Sequence, residues 1–383
     1  MQNERKRILT MLENGTITTD EALTLLEALG KPEQKQSSES VAPQEKPFEQ
    51  SEFSQKTNRQ TSHSMDEFLE DLRKDFTNVG DRFMHFMQST VQKVKEFDFD
   101  SPFGHSVTFT ETMTKSADSL EELLITIDNG KVTIHAGEEE EIRAEFTVKA
   151  FNNESEEKAR KDFEQKLLFV LDEGKLHLSS DLKMMQVNVE LYIPGKVYER
   201  ISTRLLNGAF KMKDIEAKKI RVKTANGKID VSGLTFEDAE IETANGGIDL
   251  HHLTGNTLEA ETLNGRVYID GAVKEVEAQS LNGHVVVTTT DTAPKKVDAK
   301  TVSGSVEIYI PSDISLTGEI SSNMGRLELQ LNDVDRTAEQ EQVLHRSIRF
   351  KKDAGDHQFP LHLFGEAKTG SVLVCYNAKH PSE

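Results

Sequence analysis

The sequence predicts a mainly β protein built on a parallel β-solenoid, or β-helix, with rungs of about 19–21 residues. Three observations predict it. A dipeptide returns at near-constant intervals: Asn207-Gly208, Asn226-Gly227, Asn245-Gly246, Asn264-Gly265, Asn282-Gly283 and Ser303-Gly304. A degenerate Met324-Gly325 follows, then a break, then Thr369-Gly370. The steps between successive pairs up to Met324 are 19, 19, 19, 18, 21 and 21 residues. Around each pair, apolar and polar residues alternate, as in Ile220-Arg221-Val222-Lys223-Thr224 and Lys228-Ile229-Asp230-Val231. That period of two marks a strand with one buried face. The phase also stays constant. Ile229, Ile248, Val267 and Val285 stand three residues after their asparagines, and Thr224, Thr243, Thr262, Ser280 and Thr301 stand two before.

Asn-Gly is also a strong hairpin signal, so a meander of antiparallel hairpins competes with the solenoid. The unchanging phase favours parallel stacking, which sets like residues over like. Glycine in the pair is expected to supply the positive φ of a tight turn.

The front of the chain divides differently. Residues 1–30 read as a helical hairpin: Ile8, Leu9, Met11 and Leu12 make one apolar face, and Ala22, Leu23, Leu25, Leu26 and Leu29 a second. Asn14-Gly15 stops the first helix and Thr18 or Thr19 caps the next. Residues 31–64 are rich in Gln, Ser, Glu and Pro, too poor in apolar side chains to repay their ordering entropy, and read as a disordered linker. Residues 65–99 contain an amphipathic helix with a seam of Leu69, Leu72, Phe76, Val79, Phe83 and Phe86. It caps the solenoid, self-associates as a coiled coil, or lies on a membrane surface. The excess of acidic over basic residues there weakens the membrane reading. Residues 105–376 form the solenoid, interrupted by a charged helix near 154–167 and a charged insertion at 333–358, with Leu361–Tyr376 as the closing rung.

The rung motifs, with Val187–Pro194 and its echo Val306–Pro311, resemble the YvlB/LiaG-like putative-adhesin β-strand-repeat family. The string Leu12–Ala22 resembles the two-helix modules of SHOCT-like domains, thought to serve oligomerisation or docking. The resemblance implies a β-helical domain without known catalytic residues, often linked to the cell-envelope stress response of Gram-positive bacteria. Many relatives carry an amino-terminal transmembrane helix; none is expected here.

Composition narrows function. The formal charge of −20 over 383 residues argues against nucleic acid as a partner. No apolar run approaches the roughly 18 residues of a membrane span. Glu13 and Asn14 interrupt any signal-peptide core, and the single cysteine, Cys375, offers no intramolecular disulfide. A cytoplasmic protein, peripheral to the membrane at most, is expected. No phosphate loop, nucleophile elbow or metal-ligand motif occurs, so no catalytic, cofactor or metal residues are assigned.

The candidate binding face is an outward acidic column of Glu240, Glu242, Glu259, Glu261 and Glu277. Like charges on stacked strands repel, so the column either splays into water or meets a cation. Asp230 and Asp249 stack near His251 in the manner of a glycosidase carboxylate pair, the only hint of an enzyme. The expected function is therefore a non-catalytic scaffold for a protein partner or self-association, tied to envelope stress at the inner face of the bacterial membrane. An adhesin-like or filament-forming solenoid is the alternative, and a carbohydrate-active enzyme the third reading.

The helical seam has a direct test. Phe76→Asp combined with Phe83→Asp removes whatever that face binds. Lower thermal stability marks a cap, smaller hydrodynamic size a coiled coil, and lost liposome flotation a membrane helix. No change in any of the three means the seam is not an interface.

Overall fold

A computed structural model describes residues 105–377, apart from 139, 153–154, 183, 343–344 and 356–359. The helical hairpin at 1–30, the linker at 31–64 and the seam from Leu69 to Phe86 lie outside the described residues.

The regular part of the stack consists of β8 (Val197–Asn207), β9 (Phe210–Asn226), β10 (Ile229–Asn245), β11 (Ile248–Asn264) and β12 (Val267–Asn282). Each pairs with the next in parallel, with Asn207, Asn226, Asn245, Asn264 and Asn282 in one register column. The strands flanking each Asn-Gly pair therefore hydrogen-bond to neighbouring rungs and not to each other, and the solenoid stands. Ile229, Ile248, Val267 and Val285 form an inward column of fully buried side chains.

The Asn-Gly corner is held by repeated contacts. Each asparagine amide donates to the side-chain oxygen of the asparagine one rung earlier, from Asn207 on Asn129 at 2.9 Å to Asn282 on Asn264 at 2.9 Å. The hydroxyls of Thr243, Thr262, Ser280 and Thr301 donate inward to the carbonyls of Gly227, Gly246, Gly265 and Gly283 at 2.8–3.0 Å. The expected positive φ is met at Gly130 (+139°) and Gly304 (+152°), but at Gly246 the reason for glycine is different. Gly227 has φ +159°, essentially extended, and Gly246 lies outside the left-handed region altogether. What excludes a side chain is proximity: a Cβ on Gly246 would lie 2.1 Å from the Gly227 carbonyl oxygen. The left-handed residues stand at a second corner, which carries no sequence signature. There Asp214, Gly233 and His252 have φ of +54°, +67° and +54° at equivalent points of β9, β10 and β11.

That second corner absorbs the irregular spacing. Leu250 pairs with Ile269 but Leu253 with Gly271, so β12 is one residue short there, which produces the 18-residue step. In the next rung the strand splits into β13 (Val285–Thr289) and β14 (Lys296–Ser303), and the intervening loop lengthens the step to 21.

Both ends of the stack depart from chain order. At the amino end β2 (Glu122–Asn129) and β3 (Val132–Gly137) form a rung. It lies between that of β8 and β9 and an outer one made by β6 (Lys175–Ser180) and β7 (Met185–Pro194). Antiparallel strands then terminate the stack: β4 (Glu141–Phe151) on β7, β1 (Ser106–Ser116) on β4, and β5 (Leu168–Asp172) on β6. Helix α1 (Glu156–Lys166) packs Phe163 edge-on against Phe109 and Phe146, with ring centroids 5.7 and 5.5 Å apart.

The carboxyl end mirrors this. After β15 (Val306–Ile310), β16 (Leu316–Ser322) and β17 (Leu327–Gln330) come β18 (Asp335–Gln342), β19 (His345–Lys352), β20 (Leu361–Ala367) and β21 (Val372–Tyr376). The rung of β20 and β21 inserts between β14–β15 and β16–β17, so Leu361–Tyr376 does not close the stack as expected. The segment taken as a charged insertion supplies the closure instead, as the antiparallel pair β18–β19 laid on β16. Its high charge reflects an outermost sheet position, where one edge meets solvent.

The glycine column is testable by substitution. Extended backbone accepts alanine, so Gly246→Ala should be harmless if φ alone matters. Close stacking instead predicts a loss on the order of 3 kcal/mol for Gly246→Ala and more for Gly246→Val. Thermal denaturation reads the difference, and an unchanged melting temperature for Gly246→Ala would refute the packing explanation.

Candidate interaction face

Side chains opposite the core form columns because every rung repeats the same alternation. One column reads Arg200, Lys219, Asp238, Thr257, Glu275 and Lys296. The next reads Arg221, Glu240, Glu259, Glu277 and Asp298, and the third Arg204, Lys223, Glu242, Glu261, Gln279 and Lys300. All the glutamates chosen from the sequence thus share one face. They form the middle of a band that runs from basic through acidic to basic along the solenoid.

The acidic middle meets cations from its own chain. Lys223 Nζ lies 2.8 Å from Glu240 Oε1 and 2.7 Å from Glu242 Oε1, and Arg221 pairs with Glu240. At the far end Lys296 Nζ is 3.4 Å from Glu277 and 3.6 Å from Asp298, while Lys300 Nζ is 3.1 Å from Asp298. Gln279 donates to Glu277 at 2.8 Å. Sequence reading missed these partners because they lie one rung before and one after the acidic run. The signal was present: Arg221 and Lys223 precede Glu240 and Glu242 by one 19-residue period.

Burial on this face is deeper than an exposed stripe. Glu242 is 2% and Glu261 4% exposed. Beside them Ala225 and Ala244, on the side away from the main core, are buried with Leu206 and Leu263 packed against them. Burial, reinforced by its hydrogen bond to Glu240, raises Glu242 to about 7. Burial also pushes Glu240 upward, but hydrogen bonds from Glu242, Lys223 and Arg221 overcome it and hold that carboxyl well below the usual range. The two carboxyls are thus driven in opposite directions and titrate as a pair.

Asp230 and Asp249 do stack in register, but Lys228 stands between them, 3.4 Å from one and 2.7 Å from the other. Arg266 adds a 2.8 Å bond to Asp249. Partial burial would raise Asp249, yet the bonds from Lys228 and Arg266 outweigh it and lower its pKa. A general acid for glycoside cleavage needs the reverse shift. His251 packs its ring 4.9 Å from Tyr268. Among the described residues no cluster of three or more His, Cys, Asp or Glu could hold a metal ion.

In-register rungs, an asparagine ladder and faces of paired charge define a β-solenoid repeat protein. The chain belongs to the Toastrack DUF4097 family, whose model matches residues 120–362. A SHOCT-like domain model matches residues 3–34. The chain is 36% identical over 388 residues to the uncharacterized protein YvlB of Bacillus subtilis (strain 168), covering 99% of this chain and 100% of that protein. Among solved structures, a putative adhesin of Bacteroides fragilis NCTC 9343 aligns over 70% of this chain and 97% of its own, at 12% identity and TM-score 0.38. A putative cell adhesion protein of Clostridium sporogenes aligns over 71% and 100%, at 12% identity and TM-score 0.24.

The buried carboxyl predicts a pH effect. Glu242 titrates near 4.3 in an unfolded chain and near 7 here. Its contribution is therefore complete below the unfolded value and is lost as pH rises through about 7. Glu242→Gln should remove that loss, making the variant more stable than the parent at pH 8 by on the order of 1–3 kcal/mol. At acidic pH the gain should disappear. Parallel melting-temperature profiles for the two proteins would show that no proton is retained at this site.

Proposed function

We propose that this chain is a non-catalytic scaffold that presents its banded face to a protein partner. It would act in the cytoplasm, at the inner face of the membrane, in the response to envelope stress. The observation that carries the reading is the pairing of charges on the face. Lys223 and Lys296 each bridge two carboxylates, so the chemical groups are committed to one another and held in a fixed pattern. A proton-transfer site needs its raised carboxyl within reach of substrate, and Glu242 is 2% exposed. A rigid array of alternating charge instead favours recognition, since complementary potentials set partner choice and register more than affinity. The SHOCT-like match at residues 3–34 supports a docking role for the front of the chain. The family resemblance supports the link to envelope stress.

Cell fractionation followed by crosslinked recovery tests this. The protein should distribute between the cytosol and the inner membrane, with a partner crosslinked through the solenoid face. Glu259→Lys with Glu277→Lys should lose that partner while leaving the melting temperature within about 2 °C of the parent. Recovery of the protein outside the cytoplasmic membrane, or a crosslink indifferent to this substitution, would overturn the reading.

A further inference from the structure

The two ends of the solenoid are protected unequally. At the carboxyl end the outermost strand, β18, carries a register shift between Arg336 and Ala338 and the charges of Asp335, Arg336 and Glu339. Bulges and charges are the usual devices that stop an edge from pairing with another chain. At the amino end α1 touches β1, where Arg160 donates to the Thr110 carbonyl at 3.2 Å and pairs with Glu111. A short apolar edge belongs to β5. Its sequence is Leu168-Phe169-Val170-Leu171-Asp172, and among the described residues it pairs with β6 alone. Phe169 points into the core at 7% exposure, whereas Leu168 and Val170 stand side by side on the outer face at 46% and 42%. Such a strand offers unpaired backbone groups flanked by apolar side chains, a template for strand addition.

The residues at its ends indicate what adds. Lys166, the last residue of α1, precedes the strand, and Asp172 ends it; both are exposed. The segment from Lys166 to Asp172 is thus apolar between opposite charges. Laid antiparallel on a copy of itself and centred on Phe169, it sets Leu168 opposite the partner's Val170. It also brings Lys166 beside the partner's Asp172, at both ends at once. A twofold pair satisfies both charges, and because each copy uses the same strand the β5 edge is consumed in a single pairing. The assembly therefore closes as a dimer and does not grow into a filament.

We propose that two copies of this chain associate through antiparallel pairing of β5 with β5, continuing the sheet of one solenoid into the other. The inference deepens the scaffold reading by naming a self-association surface. A ladder this short gives a weak dimer, with a dissociation constant on the order of micromolar or above.

Sedimentation equilibrium of the full chain up to about 100 µM, in low salt, tests it. Val170→Lys should abolish the association without lowering the melting temperature. Asp172→Lys places lysines together at each end of the ladder and should weaken association about tenfold. Lys166→Asp combined with Asp172→Lys exchanges the charges and should restore it. A monomeric parent, a dimer that survives Val170→Lys, or a double exchange that fails to recover would each overturn the proposal. Survival of a Val170→Lys dimer that Phe76→Asp and Phe83→Asp dissolve would move self-association to the helical seam. None of these outcomes bears on the crosslinked partner of the charged face, so the two readings fail separately.

Discussion

The structure depends on how closely consecutive rungs approach at the Asn-Gly corner. The carbonyl oxygen of each glycine occupies the space where a Cβ of the next would be, 2.0 Å away at Gly227 and 2.1 Å at Gly246. Around that contact the asparagine amides bond to one another outside and the threonine hydroxyls to the glycine carbonyls inside. A one-residue slip would lose all three interactions and turn every inward side chain outward. The corner therefore sets register, and register sets everything stacked upon it.

Register converts sequence repeats into columns, and columns make the charged face. A run of glutamates on neighbouring strands is unfavourable by itself. It is tolerated because Arg221 and Lys223 arrive one rung before it and Lys296 and Lys300 one rung after. At the most buried point, burial and Glu240 together push Glu242 upward, while Lys223 and Arg221 hold Glu240 low. Outside that face, Lys228 bridges Asp230 and Asp249 in the same manner.

The ends obey a different constraint, the control of open sheet edges. Each end interleaves a rung out of chain order and then reverses strand direction, through β4 and β1 at one end and β19 and β18 at the other. Interleaving sets the β2–β3 and β20–β21 rungs inside the stack, so neither can peel off as a terminal rung. The bulged β18 edge and the apolar β5 edge are the result, and their difference gives the molecule a polarity that its repeats lack.

The sequence by itself determined the rungs, because Asn-Gly spacing and strict alternation act through contacts between equivalent residues of adjacent repeats. The inward column from Ile229 to Val285 and the shared face of the five glutamates were legible for that reason. The second corner was not, since Asp214, Gly233 and His252 share a backbone angle and no side-chain type. Tertiary structure alone decided that glycine at 246 is required by a neighbour's carbonyl and not by its own φ. It also decided that Lys223 bridges Glu240 and Glu242, and that β20 and β21 lie inside the stack while the charged 335–352 segment closes it. These are contacts between residues of unlike sequence or of distant rungs, which a local period cannot encode.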